Sequence, residues 1–249
     1  MLPSIVLVNL FELSESQVAN LEQDITLEEL ASVLKKSRNN STPGSSGFSY
    51  GFYKFFWLQL GPFILKAAYY SFNIGKLPSS QTVGVISLIP KGEKPKELLD
   101  SWRPLTLQNS IYKLISGVIA QRINTVLPTI IHTDQCGFVP GRYIGDCIRT
   151  TYDVIEYAKC NNKTGLLLLI DFKKAFDSIS FKFIESTLNY FGFGNNYKKW
   201  INILLNNFKA CINHAGNISS LFNILRGCRQ GDPIAAALFI LSIETQKFY

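Results

Sequence analysis

The stretch LLLLIDFKKAFDSIS, residues 166–180, joins an apolar run to a pair of carboxylates. Five apolar residues follow Gly165 and lead directly into Asp171, a pattern typical of a strand that is covered on both faces. A carboxylate at the tip of a buried strand is held on rigid backbone, which suits a metal ligand or a catalytic base. It equally suits an Asp that caps the following helix or lies at the solvent edge. The stretch predicts a buried strand and leaves the role of Asp171 open.

The composition indicates a globular protein that can bury a full core, with 249 residues of which 47% are hydrophobic. No apolar run reaches the roughly 18 residues that a membrane span needs, so no membrane partner is expected. The N-terminus has neither a basic flank nor a cleavage site, which argues against a signal peptide. The five cysteines are widely spaced and lack a C-x-x-C pair, which predicts buried thiols in a reducing, intracellular compartment rather than a disulfide framework.

The formal net charge of +7 is unevenly distributed. Residues 1–34 contain six acids and no Lys or Arg, so the remainder holds all 25 basic residues against 12 acids. This asymmetry predicts an acidic N-terminal extension with a helix, residues 1–40, attached to a basic body, residues 41–249. A basic body is typical of a nucleic-acid-binding protein, although an ordinary basic surface has the same composition.

Helical and strand patterns alternate irregularly along the chain, which predicts an α+β protein. The first half is predicted to contain a helix within 24–40 with a Thr26–Glu29 capping box, two helical pieces within 48–78 broken near Gly61-Pro62, a strand at 82–91 and a helix from 110 that Pro128 closes. The strand at 166–170 follows, and then helices around 181–191 and 195–208. The chain is predicted to continue with a hairpin around Gly216-Asn217 and a helix from Asp232-Pro233 to the last residue.

Two stretches carry bases and glycines suited to a polyanion. Lys91 and Arg103 lie on either side of a turn-rich loop, and a flexible point charge beside a planar fork suits a triphosphate. Taken alone, they also fit two exposed bases. Gly137 and Gly141 allow a backbone to approach a ligand closely, and Arg142 follows them. These residues predict an anionic ligand of unspecified identity.

A third stretch adds a polar group near a helix N-terminus. Gln230-Gly231 precede the last predicted helix. An amide in that position can donate to a sugar hydroxyl, and the helix end favours negative charge.

The stretches IPKG, SWRPLTLQNSIYKLISGVIAQRI, DQCGFVPGRYIGDCIR, LLLLIDFKKAFDSI and RGCRQGDPIAAALFILSIE occur in this order. Together they resemble the reverse transcriptase domain of non-long-terminal-repeat (LINE-type) retrotransposons. The stretch NNSTPGSSGFSYGFYKFFW resembles the extra block that this family carries ahead of its fingers. The resemblance covers residues 25–249 and implies a right-hand polymerase fold with fingers and an incomplete palm, without a thumb. The palm would contain a first catalytic block at 166–191 and a second at 226–249.

The resemblance also implies a reaction and its partners. An RNA-directed DNA polymerase transfers a nucleotide from a dNTP to a primer 3′-end on an RNA template, in the nucleus or cytoplasm. Asp171 matches the catalytic carboxylate that two Mg²⁺ ions share, and the backbone oxygen of Phe172 would face the metal. Asp177, by contrast, is interpreted as a structural residue that orients the turn after the strand.

The remaining roles implied by the resemblance concern the nucleotide and the template. Phe176 matches the steric gate that excludes the ribose 2′-hydroxyl. Lys91 and Arg103 match residues that close on the triphosphate, and Gln230 and Gly231 match the block that positions the incoming sugar. The residues that would contact the template backbone are Gly44, Gly47, Gly137, Gly141 and Arg142.

The sequence departs from the family pattern in three places. The early block, residues 40–47, lacks the usual base and acid, and Ala235-Ala236 replace the usual Ser-Pro. None of the eight Asp residues is adjacent to another, whereas the family carries an Asp-Asp pair in its second catalytic block. We therefore expect a chain truncated before that block, from a longer or decayed element, which is inactive alone and self-associates.

The alternative is a non-catalytic nucleic-acid-binding remnant of such an element. Related polymerases, such as group II intron maturases or retron enzymes, also remain open at this point. A dehalogenase-like phosphatase is disfavoured because it would need an Asp where Lys173 stands. The sequence leaves the oligomeric state unknown.

Overall fold

The computed structural model describes residues 12–172 and 174–246, which form helices and one mixed sheet. The helices are α1 Glu15–Leu21, α2 Leu27–Lys36, α3 Tyr50–Phe55, α4 Trp57–Ile74, α5 Ser110–Ile130, α6 Ile144–Cys160, α7 Ala175–Ser178, α8 Phe181–Tyr190, α9 Asn195–Leu205 and α10 Ala235–Gln246. The strands are β1 Val83–Pro90, β2 Trp102–Leu107, β3 Lys209–His214, β4 Asn217–Ile218 and β5 Phe222–Asn223.

The sheet is built around β1, which confirms the strand predicted at 82–91. It pairs antiparallel with β2 and parallel with β3, and the short strands β4 and β5 both pair antiparallel with β3. Ala215 and Gly216 connect β3 to β4 with φ values of +49° and +83°, the left-handed backbone that a tight hairpin turn requires. The predicted hairpin is therefore confirmed, and the mixed sheet with its helices agrees with the α+β prediction.

Helix α5 lies at the centre of the core and packs against α1, α2, α9 and α10. The predicted capping box of α2 is present, because the Glu29 amide donates to the Thr26 hydroxyl at 3.2 Å and the Thr26 amide donates to the Glu29 carboxylate at 2.9 Å. A Cβ atom on Gly117 would come within 2.6 Å of the Val33 side chain, so the glycine permits α2 to cross α5 closely.

The acidic N-terminal segment shares this core. Glu29 forms an ion pair with Arg122 of α5 at 2.7 Å. Glu22 accepts hydrogen bonds from the amides of Asn196 and Tyr197 at 3.0 and 2.8 Å, in the first turn of α9, where a helix N-terminus favours negative charge. Glu22, just after α1, and Glu29 of α2 therefore bind the basic body directly, and the domain boundary at residue 40 stays a prediction.

The prediction of a buried strand at 166–170 is wrong. Residues 165–172 form no regular secondary structure, and Leu166 and Leu169 are 92% and 83% exposed. Backbone N–H and C=O groups of a strand need a neighbouring strand as partner, and no described strand pairs with this segment. An apolar pattern alone therefore does not make a strand, and within residues 12–172 and 174–246 this run has no strand beside it.

Two prolines that are predicted to end helices lie inside them. The helical segment is interrupted at Phe56, between α3 and α4, rather than near Gly61-Pro62, and Pro62 lies inside α4. The hydrogen bond that Pro62 cannot make would reach the carbonyl of Leu58, and Leu58 is an exposed residue near the start of α4. Pro128 is likewise accommodated inside α5, which continues to Ile130.

The last helix starts later than predicted. Helix α10 begins at Ala235, and the carboxylate of Asp232 accepts hydrogen bonds from the side chains of Tyr112 and Ser116 in the core. Its predicted extension to the last residue lies outside the described residues.

The cysteine prediction holds in part. Cys211 and Cys228 are buried thiols, but Cys136 and Cys147 form a disulfide with their Cα atoms 6.5 Å apart. The turn that brings them together joins residues 11 apart, and their spacing alone does not reveal it. Within the described ranges, no helix has both the length and the apolarity needed to cross a membrane.

Candidate nucleotide-binding cleft

A cleft of about 630 Å³ lies between the β1–β2 hairpin and the turn of α7, and we call it the β1–β2 cleft. Its charged lining residues are Lys91, Asp100, Arg103, Lys174, Asp177 and Arg226, and Phe176 and Gln230 also line it. The cleft therefore brings together most of the residues predicted to bind a nucleotide, although they are spread over 140 positions of the sequence.

The β1–β2 hairpin positions the first two bases. Arg103 pairs with Ile89 across the strands, so its side chain is fixed by the sheet register. Lys91 follows directly after β1, where its amide donates to the Ser101 carbonyl at 2.8 Å and its ammonium to the Asp100 carbonyl at 3.0 Å. Both bases consequently project from the two ends of one ordered loop, as predicted.

The opposite wall is held together by backbone contacts between two distant segments. The Cys228 amide donates to the Phe176 carbonyl at 2.7 Å, and the Gly227 amide donates to the Ile179 carbonyl at 2.7 Å. Gly227 has φ +88°, and a Cβ atom there would come within 2.9 Å of the Asp177 backbone. A glycine is therefore required for Asp177 and Arg226 to share this wall.

The Gln230-Gly231 turn is attached to β2. The Thr106 amide donates to the Gln230 carbonyl at 3.0 Å. Gly231 has φ +108°, and a Cβ atom there would come within 2.9 Å of the Thr106 carbonyl oxygen. The glycine thus allows the turn to lie close to the strand that carries Arg103, and the Gln230 side chain is left exposed in the cleft.

The electrostatics of the cleft favour an anion. Four basic side chains line it, and Asp100 and Asp177 are the acids beside them. Burial raises the pKa of the Asp177 carboxyl above its ordinary value, and the positive charge of Lys174 offsets part of that effect. The sequence patterns did not identify Lys174 and Arg226 as site residues. The feature that could have done so is their position: Lys174 lies two residues before Phe176, and Arg226 lies four residues before Gln230.

Phe176 is fixed by aromatic neighbours. Its ring stacks on Phe239 of α10 with a centroid distance of 4.6 Å, and the edge of Phe138 approaches it at 6.3 Å. The half-buried ring therefore has limited freedom at the edge of the cleft, which is the property that a steric gate needs.

Asp171 and Phe172 lie outside the β1–β2 cleft. Asp171 is exposed, and Phe172 contributes to a separate cavity of about 360 Å³ with Phe239 and Ile243. Among the residues that the structure describes, no group of three or more His, Cys, Asp or Glu side chains is arranged to hold a metal ion. The carboxylate with the strongest sequence signal thus stands apart from the site that its motif predicts.

The predicted template residues Gly44 and Gly47 belong to a loop over the start of α5. A Cβ atom on Gly44 would come within 2.5 Å of the Asn109 amide nitrogen, and the Ser46 amide donates to the Asn109 side chain at 3.0 Å. Gly47, with φ +76°, faces open space. Gly44 therefore has a packing function in addition to the predicted one, which stays a prediction for both glycines.

The predicted template residues at 137–142 lie after the C-terminal end of α5. The Arg142 guanidinium donates to the carbonyls of Ile131, Gln135 and Pro128 at 2.8, 2.8 and 3.0 Å, and also to His132. Gly137 donates to the Gln135 side chain at 3.2 Å, and Gly141 adopts φ +78°. Arg142 thus binds the carbonyls at the helix end, so its charge is not fully available to a template phosphate.

Comparisons with known proteins point to one family. The profile described as Reverse transcriptase (RNA-dependent DNA polymerase) matches residues 89–246. The "Transposon TX1 uncharacterized 149 kDa protein" of Xenopus laevis is 32% identical over 231 residues, which are 93% of this chain and 18% of that protein.

Two further relatives are proteins of transposable elements. The "Retrovirus-related Pol polyprotein from type-1 retrotransposable element R2" of Popillia japonica is 27% identical over 168 residues, 66% of this chain and 23% of that protein. The "Probable RNA-directed DNA polymerase from transposon X-element" of Drosophila melanogaster is 28% identical over 229 residues, 86% of this chain and 24% of that protein. This chain spans a quarter or less of the length of these curated relatives.

Proposed function

Since this chain belongs to the reverse transcriptase (RNA-dependent DNA polymerase) family, we propose that its β1–β2 cleft binds the incoming dNTP of a non-LTR retrotransposon polymerase. The observation that carries the proposal is the meeting of Lys91, Arg103, Phe176 and Gln230 in one cleft. A reverse transcriptase domain implies nucleic acids as substrates, so an RNA template and a DNA primer would bind beside this nucleotide.

The chemistry of the cleft suits each part of a dNTP. Lys91 and Arg103 would bind the triphosphate, and Lys174 and Arg226 add positive charge from the opposite wall. Phe176, immobilised by Phe239, would exclude a 2′-hydroxyl from the sugar. Because binding an RNA nucleotide would bring that hydroxyl against an apolar ring without a hydrogen-bond partner, the site would favour deoxyribose.

The same arrangement supports the assignment of fingers and palm. We assign the β1–β2 hairpin with Lys91 and Arg103 to the fingers, and the wall formed by α7 and residues 226–231 to the palm. A triphosphate bound between them would attract bases from both walls, which would draw the hairpin towards the palm. Template contacts by the loops around Gly44 and Gly141 would lie along the same body.

The metal site that the family implies does not fit the described residues. Mg²⁺ needs several oxygen ligands in near-octahedral geometry, and Asp171 is exposed without two further ligand side chains beside it. Asp171 would therefore contribute a single side-chain ligand, and we expect these 249 residues alone to bind nucleotides without extending a primer.

Nucleotide titration tests the proposal. Binding of a fluorescent dNTP to the chain is measured by polarisation for the wild type, Lys91→Ala, Arg103→Ala and, as control, Lys66→Ala, which removes an exposed lysine from α4. We expect each cleft variant to weaken binding by about tenfold, because a charge-assisted contact is lost, and the control to leave it unchanged. Equal affinity of wild type and Arg103→Ala would contradict the proposal.

Competition experiments test the sugar preference. Unlabelled dNTP is expected to displace the probe at lower concentration than the matching NTP. Phe176→Ala should narrow that difference, whereas Phe63→Ala on the exposed face of α4 should not. Identical competition by both nucleotides in the wild type would remove Phe176 from the proposed role.

The second candidate function is non-catalytic binding of nucleic acid. The exposed position of Asp171 favours it, because this function needs no carboxylate site. A filter-binding assay with an RNA–DNA primer–template distinguishes the two. Binding of the primer–template by a chain that does not bind dNTP would favour the second candidate.

A further inference from the structure

A buried charged pair flanks the Gln230-Gly231 turn. Arg229 and Asp232 are only 5% and 6% exposed, whereas the two residues between them are exposed. The Arg229 guanidinium contacts the Asp232 carboxylate at 2.9 Å, and the Asp232 amide donates to the Arg229 carbonyl at 3.0 Å. The turn that enters the β1–β2 cleft is thus closed at its base by an ion pair within the core.

Side chains of α5 and of the residue that follows β2 also contact this pair. The Tyr112 hydroxyl donates to Asp232 at 2.6 Å and accepts from Arg229, and the Ser116 hydroxyl also donates to Asp232. The Gln108 amide, next to the end of β2, approaches the same carboxylate at 3.4 Å. Burial raises the pKa of the Tyr112 hydroxyl well above its ordinary value, so the hydroxyl keeps the proton that it donates.

Aromatic rings hold the guanidinium from the other side. Arg229 lies over the ring of Phe208 at 4.0 Å and over that of Tyr112 at 5.3 Å, and it donates to the Leu204 carbonyl at 2.7 Å. A buried ion pair usually stabilises a fold no better than apolar residues of the same volume would. Its directional contacts do fix geometry, and the segment whose geometry they fix is the turn that carries Gln230.

We propose that Tyr112, Arg229 and Asp232 are positioning residues that hold the Gln230-Gly231 turn against β2 and thereby set the nucleotide affinity of the β1–β2 cleft. The inference rests on the proposed function of that cleft. The connection runs from Asp232 through the turn to the hydrogen bond between the Gln230 carbonyl and the Thr106 amide, three residues from Arg103. Release of the base of the turn frees Gln230 relative to Arg103.

The test compares Tyr112→Phe with Tyr197→Phe. Tyr197 is a matched control, because it is equally buried and its hydroxyl donates to a core carbonyl, that of Ile119, at 2.9 Å, away from the turn. Tyr112→Phe is expected to weaken dNTP binding about tenfold, and Tyr197→Phe to leave it unchanged, although both remove a buried hydroxyl that donates a hydrogen bond. Equal losses in the two variants would overturn the proposal.

A double-mutant cycle separates positioning from general stability. In a Gln230→Ala background, Tyr112→Phe is expected to cost no further dNTP affinity, whereas its effect on the melting temperature remains. An undiminished loss of dNTP affinity in that background would overturn the proposal, because Tyr112 would then act on the cleft without Gln230.

Hydrogen exchange provides a readout that needs no nucleotide. The Thr106 amide is expected to exchange about tenfold faster in Tyr112→Phe than in wild type or Tyr197→Phe, because its acceptor Gln230 becomes mobile. Unchanged exchange overturns the positioning role whatever the nucleotide result. Faster exchange in a chain that binds no dNTP supports the positioning role and overturns the proposed function, together with the nucleotide part of this inference.

Discussion

Helix α5 buries fourteen of its 21 residues, whereas none of the 17 residues of α6 is buried. Both carry regularly spaced apolar side chains, such as Ile119 in α5, which is fully buried, and Ile148 in α6, which is 54% exposed. Both helices therefore have an apolar face, but among the described residues only that of α5 is covered. Helical periodicity specifies which face of a helix is apolar, but neighbouring elements decide whether that face is covered.

The segment after α6 continues the contrast. Residues 165–167 line a groove with Val154, Ile155 and Ala158 of α6, and the apolar run from Leu166 to Ile170 is exposed along its whole length. Helix α5 contacts four other helices, and α6 is tied to the body by the Cys136–Cys147 disulfide at its first turn. Helix α5 is held in place by packing, whereas α6 is held by a covalent link.

The largest effect should come from one substitution made in both helices. Ile119→Ala is expected to lower the free energy of unfolding by about 2–5 kcal/mol, because it leaves a cavity in the core. Ile148→Ala should cost below about 0.5 kcal/mol, since more than half of that residue is already exposed to water. Urea denaturation measures both values. A comparable loss in the two variants would show that α6 is covered in solution and would end the contrast.

The second effect concerns the disulfide that anchors α6. Cys147→Ser is expected to lower the free energy of unfolding by up to about 3 kcal/mol, because a closed loop of this size restricts the unfolded chain. The measurement is thermal or urea unfolding without reductant. Cys160→Ser, at an exposed free thiol, is the control and should be neutral. If the wild type had the same free energy of unfolding with and without reductant, the disulfide would not be the source of the stabilisation, and this account would be contradicted.

The third effect compares an ion pair of each helix. Arg122 of α5, 9% exposed, donates from two nitrogens to the Glu29 carboxylate at 2.7 and 2.8 Å. Glu29→Gln should therefore lower the free energy of unfolding by about 1.5–3 kcal/mol near neutral pH. Arg149 and Asp153 of α6 lie 3.9 Å apart and are 83% and 66% exposed, so Asp153→Asn should cost about 0.5 kcal/mol or less. Urea denaturation of the two variants gives the comparison.

The pH dependence sharpens that result. Burial raises the pKa of the Glu29 carboxyl, but its hydrogen bonds and the charge of Arg122 outweigh burial and lower the pKa below 4.5 overall. The stabilisation is therefore present above pH 4.5 and lost as the pH falls through the lowered value. The gap between wild type and Glu29→Gln should close over that acidic range. If the difference in the free energy of unfolding instead grew as the pH fell, the pKa of Glu29 would be raised rather than lowered in the folded protein.

The parts of the fold that the sequence predicts correctly are those whose signals are local. The Thr26–Glu29 capping box, the turn at Gly216 and the strand at 82–91 depend on residues close in the chain, so pattern alone finds them. The apolar run at 166–170 was predicted as a strand because its pattern is that of a strand, but a strand also requires a partner far away in sequence.

The candidate site shows the same division. Lys91, Arg103 and Gln230 are predicted site residues because each lies in a recognisable block, and the structure places all three in one cleft. The support of the turn by Tyr112 was missed, because it joins residues 117 positions apart and its hydroxyl has no sequence signal as a partner for Arg229. Buried polar contacts between distant elements are fixed by packing, and they become visible only when the elements are assembled.

The smallest effect on stability should come from the exposed run itself. Leu166→Ser combined with Leu169→Ser is expected to change the free energy of unfolding by about 0.5 kcal/mol or less, because both side chains already contact solvent. The same change should reduce self-association, since a large exposed apolar surface promotes contact between copies. Light scattering over a concentration series measures it, with Lys159→Ser on α6 as a control for surface change. A monodisperse wild-type monomer would contradict the predicted self-association. A loss of stability well above about 0.5 kcal/mol would mean that residues 166–170 are buried in the folded chain. This segment would then resemble α5 more than α6.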